Sequence, residues 1–514
     1  MAAGPRSVER VTTVTTQLEQ DQRRWFGMYA TLMAFAVAVA GIAYVTAPKP
    51  FSVAMVVLVL ATLASFLRPT IGVYTIVSMT LLGDIVTTKW WPFTKNLSSK
   101  ESILYLTDSV SITPLEILLF VTTVSWLLQR LVDPTWRLRR GALFRPMMVF
   151  LAFVLVGLFR GKFLGSGDTR IALFESRPLL YLPLVYVLIT NLLTTRRQYR
   201  VLLLLAFSAV AIQSVFSLSF YRSLPDAKRE VLESLSEHSG TIHMNALFVF
   251  FLAILLLKCR KELRWFVALL IPTVAWAYFL SQRRAAMIAL FVGLVLLAMV
   301  LFYRRRRMFW LFTPACVVVT IGYLGATWNA VGALGLPAQA VKTVLFPNQL
   351  SEVDRSSDLY RKIESYDLWF TLRNQKVLGV GFGQKFLHPA PLPDISFFEF
   401  WEYIPHNSVL WIWLKMGFFG FVATLFLFGR ALQVGAASVL KVRSPEHAAI
   451  VFVGIAYAVM FLVFAYVDIA WDVRSTVFLA LAFALCGDFA RAPDARRRPA
   501  EAHIHTRQLE SVQS

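Results

Sequence analysis

Acidic residues are scarce in this chain: 30 Asp and Glu stand against 51 Lys and Arg, for a formal charge of +21 over 514 residues. Long polar stretches are scarce too. Hydrophobic residues make up 57% of the chain, where a soluble domain carries roughly 45–50%. The mean hydropathy is +0.61. Cysteine is almost absent, with only Cys259, Cys316 and Cys486. None falls in a predicted outer segment, so no disulfide is expected. Zinc-ligand spacings, a Walker loop and a dinucleotide fingerprint are all missing. No cofactor and no metal site are therefore expected. In a soluble protein the positive charge would suggest nucleic acid. Here much of it sits in short segments between apolar runs, so nucleic acid is not expected as a partner.

Apolar runs of about 17–25 residues, the length that crosses a bilayer, recur through the chain. The pattern predicts an all-α, polytopic transmembrane helical bundle. Fourteen helices are expected, at 25–46, 51–67, 70–87, 113–132, 146–160, 178–194, 199–219, 243–258, 265–281, 285–303, 308–327, 405–429, 446–466 and 472–488. Residues 1–24 read as a polar cytoplasmic tail, 25–488 as the membrane domain and 489–514 as a basic cytoplasmic tail. The first apolar run starts too late, and lacks the small-residue cleavage site, for an ordinary cleaved signal peptide.

The run Arg304-Arg305-Arg306-Arg307 belongs on the cytoplasmic side. Counting from it places both termini in the cytoplasm, and the even helix number agrees. The segments 88–112, 161–177, 220–242 and 328–404 then face outward, with tight turns near Ser281–Arg284 and Asp468–Asp472. The 328–404 segment is by far the longest, and structureless loops beyond about 12–15 residues are usually functional. Residues 360–375 in it look helical, with Ile363, Tyr366 and Phe370 forming an apolar side that could lie on the membrane surface. VLGVGFGQKF, residues 377–386, is rich in glycine, which permits tight turns and close backbone approach at Gly379 and Gly381.

Outward-facing cations break the positive-inside rule and need a reason. They are Arg160, Lys162, Arg170, Arg177, Arg222, Lys228, Arg229, Arg283, Arg284, Arg355, Arg361 and Lys362. Solvated surface charge accounts for Lys228, Arg229 and Lys362. Arg283 and Arg284 sit between two apolar runs with almost no loop, where a charge is costly unless paired. That position suggests an anion site, and guanidinium forks match phosphate oxygens. Arg177 opens the helix expected from 178, either as an anion ligand or in an ion pair with Glu175. Asp354, Asp358, Glu364 and Asp367 balance the arginines of the long segment, or one of them orients a substrate. His238, His243 and His406 are the histidines placed near the outer face. His388 lies in the long segment, His447 near the cytoplasmic side, and His503 and His505 in the tail. A neutral imidazole can accept a hydroxyl proton near physiological pH. His406 begins an apolar run with Asn407 beside it, so it is either such a base or a helix-start hydrogen-bond group. His406, Leu410, Leu414 and Gly417 would share one helical stripe, with Gly417 and Gly420 leaving a groove for a neighbour.

His406-Asn407, nine residues, then Gly417-x-x-Gly420 resembles the signature of the O-antigen ligase and polymerase superfamily. LSQRRAAMIAL, residues 280–290, is similar to the family's Ser-Arg-Gly-Ala helix start, with Arg284 at the arginine position, Arg283 for the serine and Ala285 for the glycine. HSGTIHMNALF, residues 238–248, resembles its Gly-x-x-x-Pro-Asn-x-x-Ala element, with Met244 in place of the proline and Phe248 of the last alanine. YRKIESYDLW followed by VLGVGFGQKF resembles the Arg-helix-Gly-Val-Gly element, with Arg361 at the arginine. The resemblance covers about residues 238–430.

It implies a multi-pass enzyme of the bacterial inner membrane. A glycan would pass from a polyprenyl diphosphate carrier to an acceptor hydroxyl on the extracytoplasmic face. Arg284 and Arg283, with Arg177 or Arg361, would hold the diphosphate. His406 would stand beside the acceptor, and Asn407, Gly379 and Gly381 would position acceptor and loop. The implied partners are the lipid-linked donor, a glycan or glycolipid acceptor, and membrane lipids. Ligase and polymerase stay open, because both carry these motifs. The alternative class is a transporter or flippase of lipid-linked glycan, which would line its path with charge through the midplane. Here the charges gather toward one face.

Overall fold

Apolar runs this long satisfy their backbone groups only as helices, and helices are what the chain forms. The computed structural model describes residues 50–89, 91, 93, 107–132, 138–225, 235–330, 332–392 and 399–493. The expected 25–46 helix, the N-terminal tail, residues 494–514 of the C-terminal tail, Lys228 and Arg229 lie outside these residues. Among the described residues fifteen α-helices follow one another: α1 Pro50–Leu67, α2 Pro69–Leu82, α3 Pro114–Val132, α4 Phe144–Phe159, α5 Thr169–Leu192, α6 Arg196–Ser223, α7 Gly240–Leu256, α8 Lys261–Leu280, α9 Arg284–Arg304, α10 Arg306–Thr327, α11 Gly332–Leu345, α12 Glu352–Asn374, α13 Ser408–Lys441, α14 Pro445–Ala465 and α15 Val473–Gly487. A π-helical turn, Arg160–Leu164, continues α4. Among the described residues the only β-type pairing is a single bridge between Thr107 and Val110.

Among the described residues ten helices are long and apolar enough to cross a membrane, and three shorter apolar helices, Met55–Leu67, Pro69–Leu82 and Gly240–Leu256, accompany them. The chain is thus an all-helical, multi-pass membrane protein. Burial sorts the helices. In the spanning windows of α14 and the last span, 83% and 89% of residues are buried, against 0% in α10. The centre is therefore α14 and α15, with α5, α7, α9 and α13 packed around them, and α10 lies at the rim. Gly454 lets α14 and α15 approach closely. A Cβ there would lie 2.6 Å from the Ala482 carbonyl oxygen.

Several boundaries differ from the sequence reading. The helix expected from 178 begins at Thr169, because Asp168 caps it by accepting from the Ile171 N–H at 3.0 Å. Pro178 and Pro183 sit inside it. Arg170 and Arg177 are therefore helical residues, not loop residues. The 328–404 segment is largely helical as well. It holds α11, not expected from its Gly- and Pro-containing sequence, and α12, which starts eight residues before the helical-looking 360–375 stretch. Ser351 caps α12 by accepting from Asp354 N–H at 3.2 Å. Glu352 and Asp354 in its first turn suit the helix dipole. Tyr366 and Phe370 are exposed, and the side of α12 buried in the protein is Glu364, Asp367, Leu368, Thr371 and Leu372. Two carboxylates thus point inward, and each finds polar partners there.

Candidate functional site

α13 is not a continuous helix. At Gly417 the backbone turns to φ +72, ψ 178, which breaks the helical ladder. The Gly-rich segment fills the break. Val380 N–H donates to Leu414 O at 2.7 Å, and Phe418 N–H donates to Val377 O at 3.0 Å. Groups orphaned by the kink are thereby satisfied, as buried backbone groups must be. The expected groove at Gly417 is therefore a break. A Cβ on Gly417 would lie 2.4 Å from Val377 O, and one on Gly379, at φ +68, 2.4 Å from Leu414 O. Gly381, at φ +89, passes equally close to the backbone of Gly161. Gly379 and Gly381 thus position this segment by backbone contact.

Beneath it lies a fully buried ion pair. Lys415 Nζ is 2.7 Å from Glu175 Oε1, with neither side chain exposed. Lys415 also donates to Gln384 O at 2.6 Å, and Gly383 N–H donates to Glu175 Oε2 at 2.6 Å. Glu175 is therefore not the partner of Arg177. Arg177 pairs instead with Glu116 of α3 at 3.3 Å.

The docked segment leads back to Tyr403–Asn407. Asn407 is the N-cap of α13, accepting from Leu410 N–H at 3.0 Å. His406 precedes the helix instead of beginning it. Glu364 of α12 holds His406 twice: the His406 backbone N–H donates to Oε2 at 2.8 Å, and Nδ1 lies 3.2 Å from Oε1. With a carboxylate on Nδ1, the proton of a neutral ring belongs there and Nε2 keeps its lone pair. Tyr360 packs edge-on against the ring, with centroids 5.6 Å apart.

A second carboxylate–imidazole pair adjoins the first. His238 Nδ1 is 2.6 Å from Asp468 Oδ1, and its ring centroid is 6.2 Å from that of His406. Arg283 reaches the same carboxylate, Nη1 to Oδ2, at 3.6 Å. Burial alone would raise the Asp468 pKa. His238, then Arg283 and Arg361, outweigh burial and hold it well below the usual carboxylate range. His243 does not join. It is buried in the core, its ring 5.3 Å from that of Phe478 and 5.8 Å from that of Tyr457.

Arg283 and Arg284 diverge, although they are adjacent. The Arg284 guanidinium donates to Thr343 Oγ1 at 2.7 Å and to Asp358 at 3.1 and 3.3 Å, and its Nε is 3.4 Å from Asp354. Arg361 meets the same Asp358 at 3.4 Å. Asp354 and Asp358 thus balance arginines as expected, whereas Glu364 serves His406. Arg284, Arg361, His406 and Asn407 line one cleft of about 1340 Å³, together with Ile288, Val344, Tyr366, Trp369, Tyr466 and Val467. Arg177, Arg283, Gly379 and Gly381 do not line it. Among the described residues no group of three or more His, Cys, Asp and Glu side chains is arranged to hold a metal ion.

Sequence reasoning missed Glu364 and Asp468 as imidazole partners. Glu364 stands 42 residues before His406 and Asp468 stands 230 after His238, separations that carry no local signal. A charged residue in the tight apolar turn YVDIAWD was the one available hint for Asp468.

Residues 268–425 match the family model described as O-antigen ligase. The matched stretch runs from within α8 past Gly420, and so includes Arg283, Arg284, Arg361, Glu364 and His406. Arg177, His238 and Asp468 fall outside it. The match supports the O-antigen ligase and polymerase superfamily, and with it a glycan-handling role at the membrane. No curated protein matches the chain.

Proposed function

We propose that this protein is a membrane glycosyltransferase. It moves a glycan from a polyprenyl diphosphate carrier to an acceptor hydroxyl on the extracytoplasmic face. The observation that carries the reading is one cleft that joins two arginines, a carboxylate-oriented histidine and apolar walls. The donor's diphosphate lies against Arg284 and Arg361, exchanging with Asp358 for part of the guanidinium surface. Its lipid leaves along the apolar wall. The acceptor hydroxyl gives its proton to His406 Nε2 while its oxygen forms the new bond to the anomeric carbon. The bond from that carbon to the diphosphate oxygen breaks, and the arginines stabilise the charge gathering on the leaving diphosphate. No nucleotide sugar is needed, because the donor is already activated.

Ligase and polymerase would share these steps and differ in the acceptor. The transporter reading asks for charge along a midplane path. The buried ion pairs Lys415–Glu175 and Arg474–Asp84 are each closed on their own partners, at 2.7 and 3.0 Å, so the enzyme reading is favoured. Both termini are proposed to be cytoplasmic, in a bacterial inner membrane.

The test is purified protein with a defined lipid-diphosphate-linked oligosaccharide, with donor binding and transfer measured separately. His406→Ala is expected to lower transfer by about 10²–10⁴-fold with donor binding nearly unchanged. Wild-type turnover by His406→Asn would remove the base assignment. Absence of transfer by the wild type with every lipid-linked donor and acceptor supplied, alongside transbilayer movement of the donor, would favour the transporter.

A further inference from the structure

One wall of the cleft is longer than a diphosphate needs. Arg355, Leu359, Lys362, Tyr366, Trp369 and Arg373 recur every three or four residues along α12, and all six line the cleft. At 1.5 Å per residue, Arg355 to Arg373 covers about 27 Å. The end nearest Arg284 and His406 accounts for the reacting groups. The remainder, from Lys362 to Arg373, has its own chemistry.

Charge is the first part of that chemistry. Five cations line the cleft, Arg284, Arg355, Arg361, Lys362 and Arg373. The single carboxylate among the lining residues is Asp358, which Arg284 and Arg361 already engage. Lys362 and Arg373 make no ion pair among the described residues, although α12 carries carboxylates. The two nearest in sequence face the other way, with Glu364 on His406 and Asp367 beside His388 at 3.4 Å. Aromatic surface is the second part. Tyr366 and Trp369 remain 55% and 45% exposed inside a concave wall. Trp369 is braced edge-to-face by Trp413, with centroids 5.7 Å apart, and Trp413 is itself fixed by donating to Lys376 O at 2.8 Å. A held, half-open indole offers a flat apolar face with polar surroundings.

A hydrocarbon chain does not suit this stretch, because unpaired cations beside it are costly. A sugar ring suits it. Its C–H face stacks on an aromatic ring while its hydroxyl and acidic groups reach the flanking cations. We propose that the Lys362–Arg373 face of α12 is a glycan subsite selective for anionic sugars such as uronates. Successive rings stack on Tyr366 and Trp369, and their acidic groups reach Lys362 at one end and Arg373 at the other. The proposal rests on the glycosyltransferase reading for the arrival of a glycan in this cleft.

The test uses the full chain in nanodiscs of zwitterionic lipid, titrated with hexagalacturonate and with neutral maltohexaose. Hexagalacturonate is expected to bind at least about tenfold tighter, as charge-assisted contacts allow, with the difference shrinking as salt rises. Lys362→Gln/Arg373→Gln should abolish the difference, Lys362→Arg/Arg373→Lys should retain most of it, and Trp369→Ala should weaken both oligosaccharides. His406→Ala should keep the full preference, so failed transfer chemistry and a failed subsite give different results. Equal binding of the two oligosaccharides, or a preference untouched by Lys362→Gln/Arg373→Gln, would overturn the proposal. So would a wild type without preference that instead enriches anionic lipid around itself in mixed nanodiscs, since the cations would then serve headgroups.

Discussion

Glu364→Gln isolates the role of the carboxylate behind His406. Glutamine has nearly the shape of glutamate, and its amide oxygen can still accept the His406 backbone N–H now bound at 2.8 Å. The difference falls on the side-chain contact at Nδ1, now 3.2 Å from a carboxylate oxygen. With the amide oxygen occupied by the backbone, the amide NH2 faces Nδ1 and donates to it. The neutral ring then carries its proton on Nε2, where no lone pair remains to accept one from the acceptor hydroxyl. A wrong tautomer with intact geometry costs about 10⁴-fold in a comparable carboxylate–histidine system. A loss of about 10²–10⁴-fold in the transfer step is expected here, equivalent to roughly 2.7–5.4 kcal/mol of barrier. Donor binding should hold within about twofold, because Glu364 touches neither Arg284 nor Arg361 in an ion pair. The assay is single-turnover transfer from a defined lipid-linked donor, with donor affinity measured independently. Turnover of the folded Gln variant within twofold of wild type at saturating substrates would refute the oriented-base reasoning.

Arg284→Ala should weaken donor binding and turnover by at least about tenfold, since a lost charged hydrogen bond is worth roughly 1.5–3 kcal/mol. Arg284→Lys should restore only part, because an ammonium lacks the planar fork. Gly417→Ala would place a methyl 2.4 Å from Val377 O at φ +72. A stability loss of about 1–3 kcal/mol is expected, read by thermal denaturation and by proteolysis within 377–386. Lys415→Met should cost about 3–5 kcal/mol by leaving Glu175 buried and unpaired, and Lys415→Met/Glu175→Gln should recover much of that loss. Glu237, in the segment between α6 and α7, gives the pH dependence. Burial, against the nearby Arg474 and with Asp84 reinforcing it, pushes its pKa from 4.5 up to about 7. The folded state therefore keeps a proton that the unfolded chain releases. Its contribution to stability is full below the unfolded value and is lost as pH rises through about 7. Melting temperature should fall over that window in the wild type and flatten in Glu237→Gln.

The sequence by itself determined that the chain is helical and crosses a membrane. Runs such as 285–303 and 446–466 are too long and too apolar for any other fate, and α9 and α14 follow them closely. It also marked residues that share one cleft. Arg284, Arg361, His406 and Asn407 were marked from charge placement and motif spacing, and the structure brings those four to one cleft. Tertiary structure alone decided how the marked residues are used. Gly417 looked like a small residue in a helical groove, yet whether a glycine packs or breaks depends on which backbone arrives to satisfy the freed groups. Here it was the 377–386 segment. Arg177 read as an anion ligand or as the partner of Glu175, and its ion pair came instead from Glu116 of another helix. Glu364 and Asp468 became the partners of His406 and His238 because three helices and a tight turn converge. A carboxylate's sequence position specifies its helix face, but the imidazole opposite is supplied by a distant part of the chain. Periodicity is local and survives in the sequence. Pairing across elements arises only when the bundle closes.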